Sequence, residues 1–289
     1  MTRGLVSVIV PTNNRLIMLQ RAIASIQKQT YKNIEIIIIA NGCIDNTSTI
    51  VGELESKYNN IRFLNFTEAL GGAEARNRGL HIAQGEFIAF LDDDDEWIEN
   101  KLEQQINILK ENKYCIVGCN YIEVSPDKSK YRKLKENVSF YDMNFENVIG
   151  SYSFCITKSE YLENLFINKK LKASQDWDLW IKIFLKTNKK AYIIQDYLVK
   201  YYQHDNKISI NYKNKIHAQN LFLSFWKKQL DEEAIDYQKI KILFYSFLAN
   251  KNIKSYIFRL PFIIKAIYKS PYKFSLRKYY IYLNFFRYI

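Results

Sequence analysis

Four short, mostly apolar strand-like segments, at residues 5–10, 34–39, 61–66 and 87–91, recur through the first hundred residues of this chain, the first of them a nearly continuous apolar run. A strand with one face in water alternates apolar and polar side chains, whereas a strand covered on both faces reads as a nearly unbroken apolar run. Segments of helical periodicity separate the runs. Leu16, Leu19, Ile23 and Ile26 share one helical face behind Asn14, a capable N-cap. Ile50, Val51, Leu54 and Tyr58 do the same behind Asp45. A third helix is expected over 73–83, after the break at Gly71 and Gly72, and a fourth over 99–110 with Leu102, Ile106 and Leu109 inward. A fifth strand follows at 115–124. Strands and helices in this alternation imply parallel strands joined by right-handed crossovers, with helices on both faces. The expected class is α/β, a mostly parallel, Rossmann-like sheet flanked by helices.

In such sheets ligands bind beyond the carboxyl ends of the strands. The polar residues of this chain gather at those ends: Pro11-Thr12-Asn13-Asn14 after the first run, Ala40-Asn41-Gly42 after the second, and Asp92, Asp93, Asp94 and Asp95 after the fourth. Four adjacent carboxylates repel one another, and at least one has a raised pKa unless a cation compensates. Hard divalent cations such as Mg²⁺ and Mn²⁺ prefer oxygen ligands and commonly bridge a carboxylate to substrate phosphates. An acidic run by itself usually faces water. Its place beside two other polar strand ends makes this one a candidate site.

The 289 residues suffice for one large domain, or for a domain with an appendage. Hydrophobic residues make up 48%, which excludes a disordered chain. Cys43, Cys115, Cys119 and Cys155 form no Cys-x-x-Cys pair and have no histidine at metal spacing, so they read as free thiols of a reducing compartment. The N-terminus runs straight into the first strand without the regions of a secretory leader, and no run of 18 apolar residues occurs. A cytoplasmic protein is the expectation.

The second half is less regular. Residues 125–150 are polar and loop-like, with a turn expected at Ser125-Pro126-Asp127. Trp177, Trp180, Ile181 and Phe184 form a helical stripe over 177–186, directly after Ser174-Gln175-Asp176. Short strands are expected at 191–194 and 197–202, and amphipathic helices from Ile216 onward, broken at Pro261 and Pro271.

The ordered motifs carry a resemblance. They are Val-Ser-Val-Ile-Val-Pro-Thr-Asn-Asn-Arg at 6–15, Gln29-Thr30-Tyr31 with Asn33-Ile34-Glu35-Ile36, Gly42 through Thr47, Gly71 through Gly79, and Gly85 through Trp97. Together they resemble glycosyltransferase family 2, inverting enzymes of the GT-A fold, over about residues 5–210. The resemblance implies a catalytic domain at 1–212, with a nucleotide-sugar half at about 1–124 and an acceptor half at about 125–212, followed by a basic, aromatic helical extension at 213–289.

A nucleotide-sugar donor, usually a UDP-sugar, and a Mn²⁺ or Mg²⁺ ion come with that resemblance. The ion is held by the family's Asp-x-Asp motif, here Asp92-Asp93-Asp94 with Asp95 directly after it. It neutralises the diphosphate and stabilises it as it leaves. Asp92, Asp94 and Asp95 are the expected ligands, with Asp92 and Asp93 also on the donor side; the spacing does not say which oxygen does which. His204 matches the family's late histidine, which some relatives use near the metal or diphosphate. The family's base lies in a Glu-Asp pair before a helix; Asp176 takes that position and Gln175 replaces the glutamate. It would take the acceptor hydroxyl's proton as that oxygen attacks the anomeric carbon and the diphosphate departs from the opposite face. Asp176 could equally cap its helix, and Asp178 is the rival base on a different face. Pro11, Thr12, Asn13 and Arg15 are expected at the nucleotide, and Arg76 or Arg78 on the donor phosphates. Two departures bear on the base. Asn13 stands where the family often has tyrosine. Ala40-Asn41-Gly42-Cys43 lacks the carboxylate that often reads uracil, which leaves Asn41 as a partner for a base edge.

The net charge of +12 is uneven: residues 251–289 hold nine Lys and Arg and no Asp or Glu, among many Tyr and Phe. Such a tail suits an anionic membrane surface, or it is a solvated helical cap. The leading expectation is an enzyme of surface-polysaccharide assembly that uses a saccharide or lipid-linked acceptor, cytoplasmic or peripheral on the inner membrane face. The alternatives are a degenerate, non-catalytic transferase-like binding protein, given Gln175 and Ala40, and a single-strand nucleic-acid binder through the tail. No nucleic-acid motif supports the last, so no nucleic-acid partner is expected.

Overall fold

The four segments form one end of a single sheet, with the third at its edge. In the computed structural model, which describes residues 1–203 and 212–250, they are β1 (Thr2–Thr12), β2 (Ile34–Asn41), β3 (Ile61–Phe66) and β4 (Gly85–Phe90). β2 runs parallel to both β1 and β3, and β1 parallel to β4. All eight residues of β2 are buried, and Val6, Val8, Ile9 and Val10 of β1 are fully so. Burial on both faces is what an unbroken apolar run requires. The intervening helices are α1 (Leu16–Gln27), α2 (Thr47–Lys57) and α3 (Gly72–Ile82).

α3 lies flush on the sheet because of one glycine. A Cβ on Gly79 would stand 2.5 Å from Ile9 Cγ2 and 3.0 Å from Ile39 Cδ1. Only a bare backbone lets the helix approach that closely. The first helix begins differently from expectation. Asn14 has φ 54° and Arg15 occupies the N-cap position. The Asn14 side chain instead accepts the Ile44 N–H at 2.7 Å, tying the end of β1 to the loop after β2. Asn46 is the cap residue of α2, with Asp45 Oδ1 accepting the Thr47 N–H at 3.1 Å.

Beyond β4 the sheet becomes mixed. β5 (Glu96–Trp97) and α4 (Lys101–Lys110) lead to β6 (Tyr114–Ser125), which turns at Pro126 and Asp127 into β7 (Lys128–Arg132). Residues 125–150 hold more structure than expected: besides β7 they carry β8 (Asn137–Val138) and α5 (Phe140–Met143). A short 3₁₀ turn, Tyr152–Phe154, leads into β9 (Ile156–Lys158), then α6 (Ser159–Leu162), α7 (Gln175–Thr187) and β10 (Lys190–Tyr202). The strand order is β3-β2-β1-β4-β9-β6-β10-β5. β9 inserts antiparallel between β4 and β6, so the fifth expected strand does not adjoin the fourth. β10 is one strand where two were expected. Its register with β6 shifts between Ile194 and Tyr197 and again before Val199, an irregularity that interrupts the period the sequence displays.

α7 starts earlier than its stripe suggests. Trp177, Trp180, Ile181 and Phe184 are buried as expected, and Leu179 and Ile183 join them. Both indole N–H groups are satisfied, by Met143 O at 2.8 Å and Gly150 O at 3.2 Å.

The chain divides into two compact units, Met1–Lys207 and Ile208–Ile289. In the second, α8 (Tyr212–Trp226) and α9 (Glu232–Asn250) pack against each other, and a buried Gln219–Gln238 hydrogen bond of 2.8 Å joins them. His204 and the basic tail at 251–289 lie outside the described residues. Among the described residues, no helix is long and apolar enough to cross a membrane.

Candidate active site

The aspartate run closes a turn at the carboxyl end of β4. Leu91 N–H still bonds Ile9 O (3.1 Å), and Asp95 N–H then reaches back to Asp92 O (3.0 Å). The turn brings the Asp92, Asp94 and Asp95 carboxylates together and sends Asp93 toward β1. Asp93 faces β1: Thr12 Oγ1 donates to it at 2.7 Å and Arg15 Nη1 at 3.1 Å. Burial pushes the Asp93 carboxyl up to about 6, against the opposing pull of Arg15 and Thr12. Arg15 also pairs with Asp94 at 3.2 Å, and Arg21 Nη2 holds the Asp94 carbonyl at 2.7 Å. Asp92 pairs with Arg76, accepts from Ser151 Oγ at 3.3 Å, and donates its N–H to Ser153 Oγ at 3.1 Å.

One carboxylate oxygen from each of Asp92, Asp94 and Asp95 lies within 4.8 Å of the others. Asp94 and Asp95 are buried and Asp92 partly so. An all-carboxylate donor set this close suits a hard divalent cation, and the residues present fit Mn²⁺ or Mg²⁺. Asp93, turned toward Thr12, stands outside that trio.

Arg76 reaches this turn from α3, over the Tyr152 ring at 4.5 Å from its centroid. Burial disfavours its charge, but Asp92 and Tyr152 more than offset that and hold its pKa above the ordinary value. Arg78, two residues on, points elsewhere: its Nε pairs with Glu74 at 2.9 Å on the exposed side of the helix. Of the two arginines, the structure brings Arg76 to the aspartates and leaves Arg78 outside.

Asp176 arrives from the first turn of α7. Its Oδ1 accepts the Trp177 N–H at 2.8 Å, so it does help satisfy the helix start, while Ser174, with φ 61°, is the cap residue. Desolvation, and then the charge of Asp92, push the Asp176 carboxyl up to about 6, with Arg76 opposing. Two carboxylates from different elements therefore feel each other across the site. Asp178 is 1% exposed and sits 2.6 Å from Lys182 Nζ, which commits the rival base to an ion pair within its own helix.

The rim is built by the polar ends of β1 and β2. Pro11 is half-buried within β1, opposite Ile39. Asn13 Nδ2 donates to Asn41 O at 2.5 Å and to Gly42 O at 3.2 Å. Asn41 is buried, and its Oδ1 accepts the Leu70 N–H at 2.5 Å. A base contact from Asn41 would therefore have to use Nδ2.

Sequence reasoning missed Ser151, Tyr152 and Ser153. The two serines hold Asp92 from both its side chain and its N–H, and Tyr152 lies beneath Arg76 with its Oη buried and without a hydrogen-bond partner among the described residues. The segment shows no periodicity or charge to mark it; only the insertion of β9 brings it under the aspartate turn.

Residues 7–174 match the family described as glycosyl transferase family 2. The chain belongs to that family. An uncharacterised glycosyltransferase of Rickettsia typhi is 32% identical over 95% of this chain and 92% of its own length. A GalNAc(5)-diNAcBac-PP-undecaprenol beta-1,3-glucosyltransferase of Campylobacter jejuni is 30% identical over 92% of this chain and 87% of its own. Residues 1–349 of Staphylococcus aureus TarS, solved in complex with UDP-GlcNAc, superpose with a TM-score of 0.66 at 20% identity, covering 91% of this chain and 79% of that one. A mannosyltransferase of Pyrobaculum calidifontis, solved with GDP-Man and Mn²⁺, gives 0.61 at 18% identity over 91% and 81%. The family 2 glycosyltransferase described here thus has the GT-A type of α/β fold, with an acidic Asp-x-Asp cluster at the end of β4.

Proposed function

We propose that this glycosyltransferase moves a sugar, with inversion, from a UDP-sugar to a lipid-linked saccharide in the assembly of a surface glycan, working at the inner face of the membrane. The observation that carries the mechanism is the placing of Asp176, in the first turn of α7, near enough to Asp92 and Arg76 for their charges to act on it, beside an acidic cluster that suits a cation. Asp92, Asp94 and Asp95 would hold Mn²⁺ or Mg²⁺, which when bound neutralises the donor diphosphate. Asp176 is the general base. Its carboxylate takes the proton of the acceptor hydroxyl while that oxygen bonds to the anomeric carbon, and the bond from that carbon to the nucleoside diphosphate breaks on the opposite face.

Arg76 supplies positive charge beside Asp92, where the diphosphate would lie. Asp93, Thr12 and Arg15 form the braced wall under the nucleotide. The lipid-linked acceptor is supported by the Campylobacter relative, whose name specifies a PP-undecaprenol substrate. The uridine is supported by the TarS complex with UDP-GlcNAc.

Nucleotide release measured over a panel of UDP- and GDP-sugars, with and without Mn²⁺, tests the reading. At least one UDP-sugar should be turned over, and only with the cation. Asp176→Asn should then lower transfer by ~10²–10⁴-fold while donor binding stays near normal. Loss of donor binding in that variant would sink the base assignment; an inert panel would sink the enzyme reading.

A further inference from the structure

The face of α3 away from the aspartates, and the loop before α7, form a surface that the transfer chemistry does not use. Asn77 clamps that loop twice: Nδ2 donates to Ile167 O at 3.0 Å, and Oδ1 accepts the Ile167 N–H at 2.9 Å. Lys182 Nζ donates to Phe166 O at 2.8 Å, and Lys186 Nζ to Glu163 O at 2.7 Å. Ile167 and Leu171 are buried anchors, at 1% and 0% exposure. Between these fastenings Phe166 remains 69% exposed. A phenylalanine whose own carbonyl and next residue are both tied down is held out in water by the fold.

The charge beside it is mostly positive. Lys169, Lys170 and Lys172 are exposed and make no ion pair among the described residues. The surface opens into a cleft of about 530 Å³ whose walls add Arg78, His81 and Lys182. The acids that face it are already paired, Glu74 with Arg78 and Asp178 with Lys182; Glu163 is the exposed acid on the loop.

We propose that this surface docks the catalytic unit on an anionic lipid bilayer, with Phe166 in the interface and Lys169, Lys170 and Lys172 on the headgroup phosphates. An aromatic ring flanked by lysines combines the two attractions an anionic membrane offers, apolar burial and headgroup charge. The loop runs directly into Ser174 and the helix that carries Asp176, so one stretch of chain both meets the membrane and supplies the proposed base. The surface is distinct from the basic tail, and its binding requires neither donor nor transfer.

Co-sedimentation of the full chain with vesicles of phosphatidylcholine and phosphatidylglycerol, against phosphatidylcholine alone, tests this. The protein should partition to the anionic vesicles. Replacing the three lysines with serine should lower partitioning by about fivefold per lysine. Phe166→Ala should lower it as well, and Phe166→Trp should preserve it. All three variants should keep the parent melting temperature and the parent rate of nucleotide release from a donor. Unchanged partitioning in both the lysine and alanine variants overturns the proposal. So does a lysine variant that keeps its vesicle binding but loses affinity for inorganic pyrophosphate, which would make the cleft a soluble-anion site. An inactive enzyme that still shows the vesicle pattern would overturn the transferase mechanism and leave the docking surface standing.

Discussion

At the scale of single residues, the site turns on carboxylates given unequal surroundings. Asp93 and Asp176 are both raised to about 6, but for different uses. Asp93 is braced by Thr12 and Arg15 and forms part of a wall. Asp176 accepts the Trp177 N–H and keeps some solvent contact, which suits the proposed role of a base. A base works only when ionised, so the transfer rate should fall by up to about tenfold per pH unit once the pH drops below the carboxyl's pKa in the cation-loaded enzyme, read from a pH profile of kcat/KM. The same shift has a cost in stability. The folded protein binds the Asp176 proton more tightly than the unfolded chain, so this residue's contribution is intact below about 4, where both states are protonated, and is lost as pH rises through about 6. Asp176→Asn keeps an acceptor for the Trp177 N–H and removes the charge. It should therefore raise the melting temperature at pH 7 and leave it unchanged near pH 3.5; a variant less stable at pH 7 would contradict the assigned shift.

At the scale of elements, α3 shows how packing chooses between equivalent-looking side chains. Arg76 and Arg78 are two residues apart and so project from different sides of a helix, whereas Arg76 and Gly79, three apart, share a side. Gly79 faces Ile9 and Ile39 at a distance no Cβ tolerates, so Arg76 faces the sheet end and Arg78 does not. The sequence held this information in the i, i+3 spacing, but only the contact of Gly79 with β1 and β2 makes it decisive. Gly79→Ala should cost about 1–3 kcal/mol by overpacking, read from thermal unfolding. It should also weaken donor binding, because α3 lifts Arg76 away from Asp92. β9 teaches the complementary point. Three residues carry no readable period, yet their insertion between β4 and β6 places Ser151, Tyr152 and Ser153 under the aspartates.

At the scale of the whole molecule, the acidic cluster would couple cation binding to folding. A cation that binds the native trio and not the unfolded chain stabilises the protein by ~2.7 kcal/mol when present at 100 times its dissociation constant. Mn²⁺ should therefore raise the melting temperature, and Asp94→Asn should remove that rise; a variant with an undiminished Mn²⁺ shift would exclude Asp94 as a ligand. The sequence by itself determined the α/β class, the first four strands and the placing of Asp92–Asp95 at a carboxyl strand end. Those follow from local periodicity, since a strand covered on both faces is nearly continuous in apolar residues and polar residues then gather mostly where it ends. The tertiary structure alone decided which side chains meet. It separated Asp93 from the trio of Asp92, Asp94 and Asp95, chose Arg76 over Arg78, tied Asp178 to Lys182, and set Asp176 against Asp92. Each of those outcomes depends on the rotation of a helix or the direction of a turn, which is fixed by contacts between residues far apart in the chain.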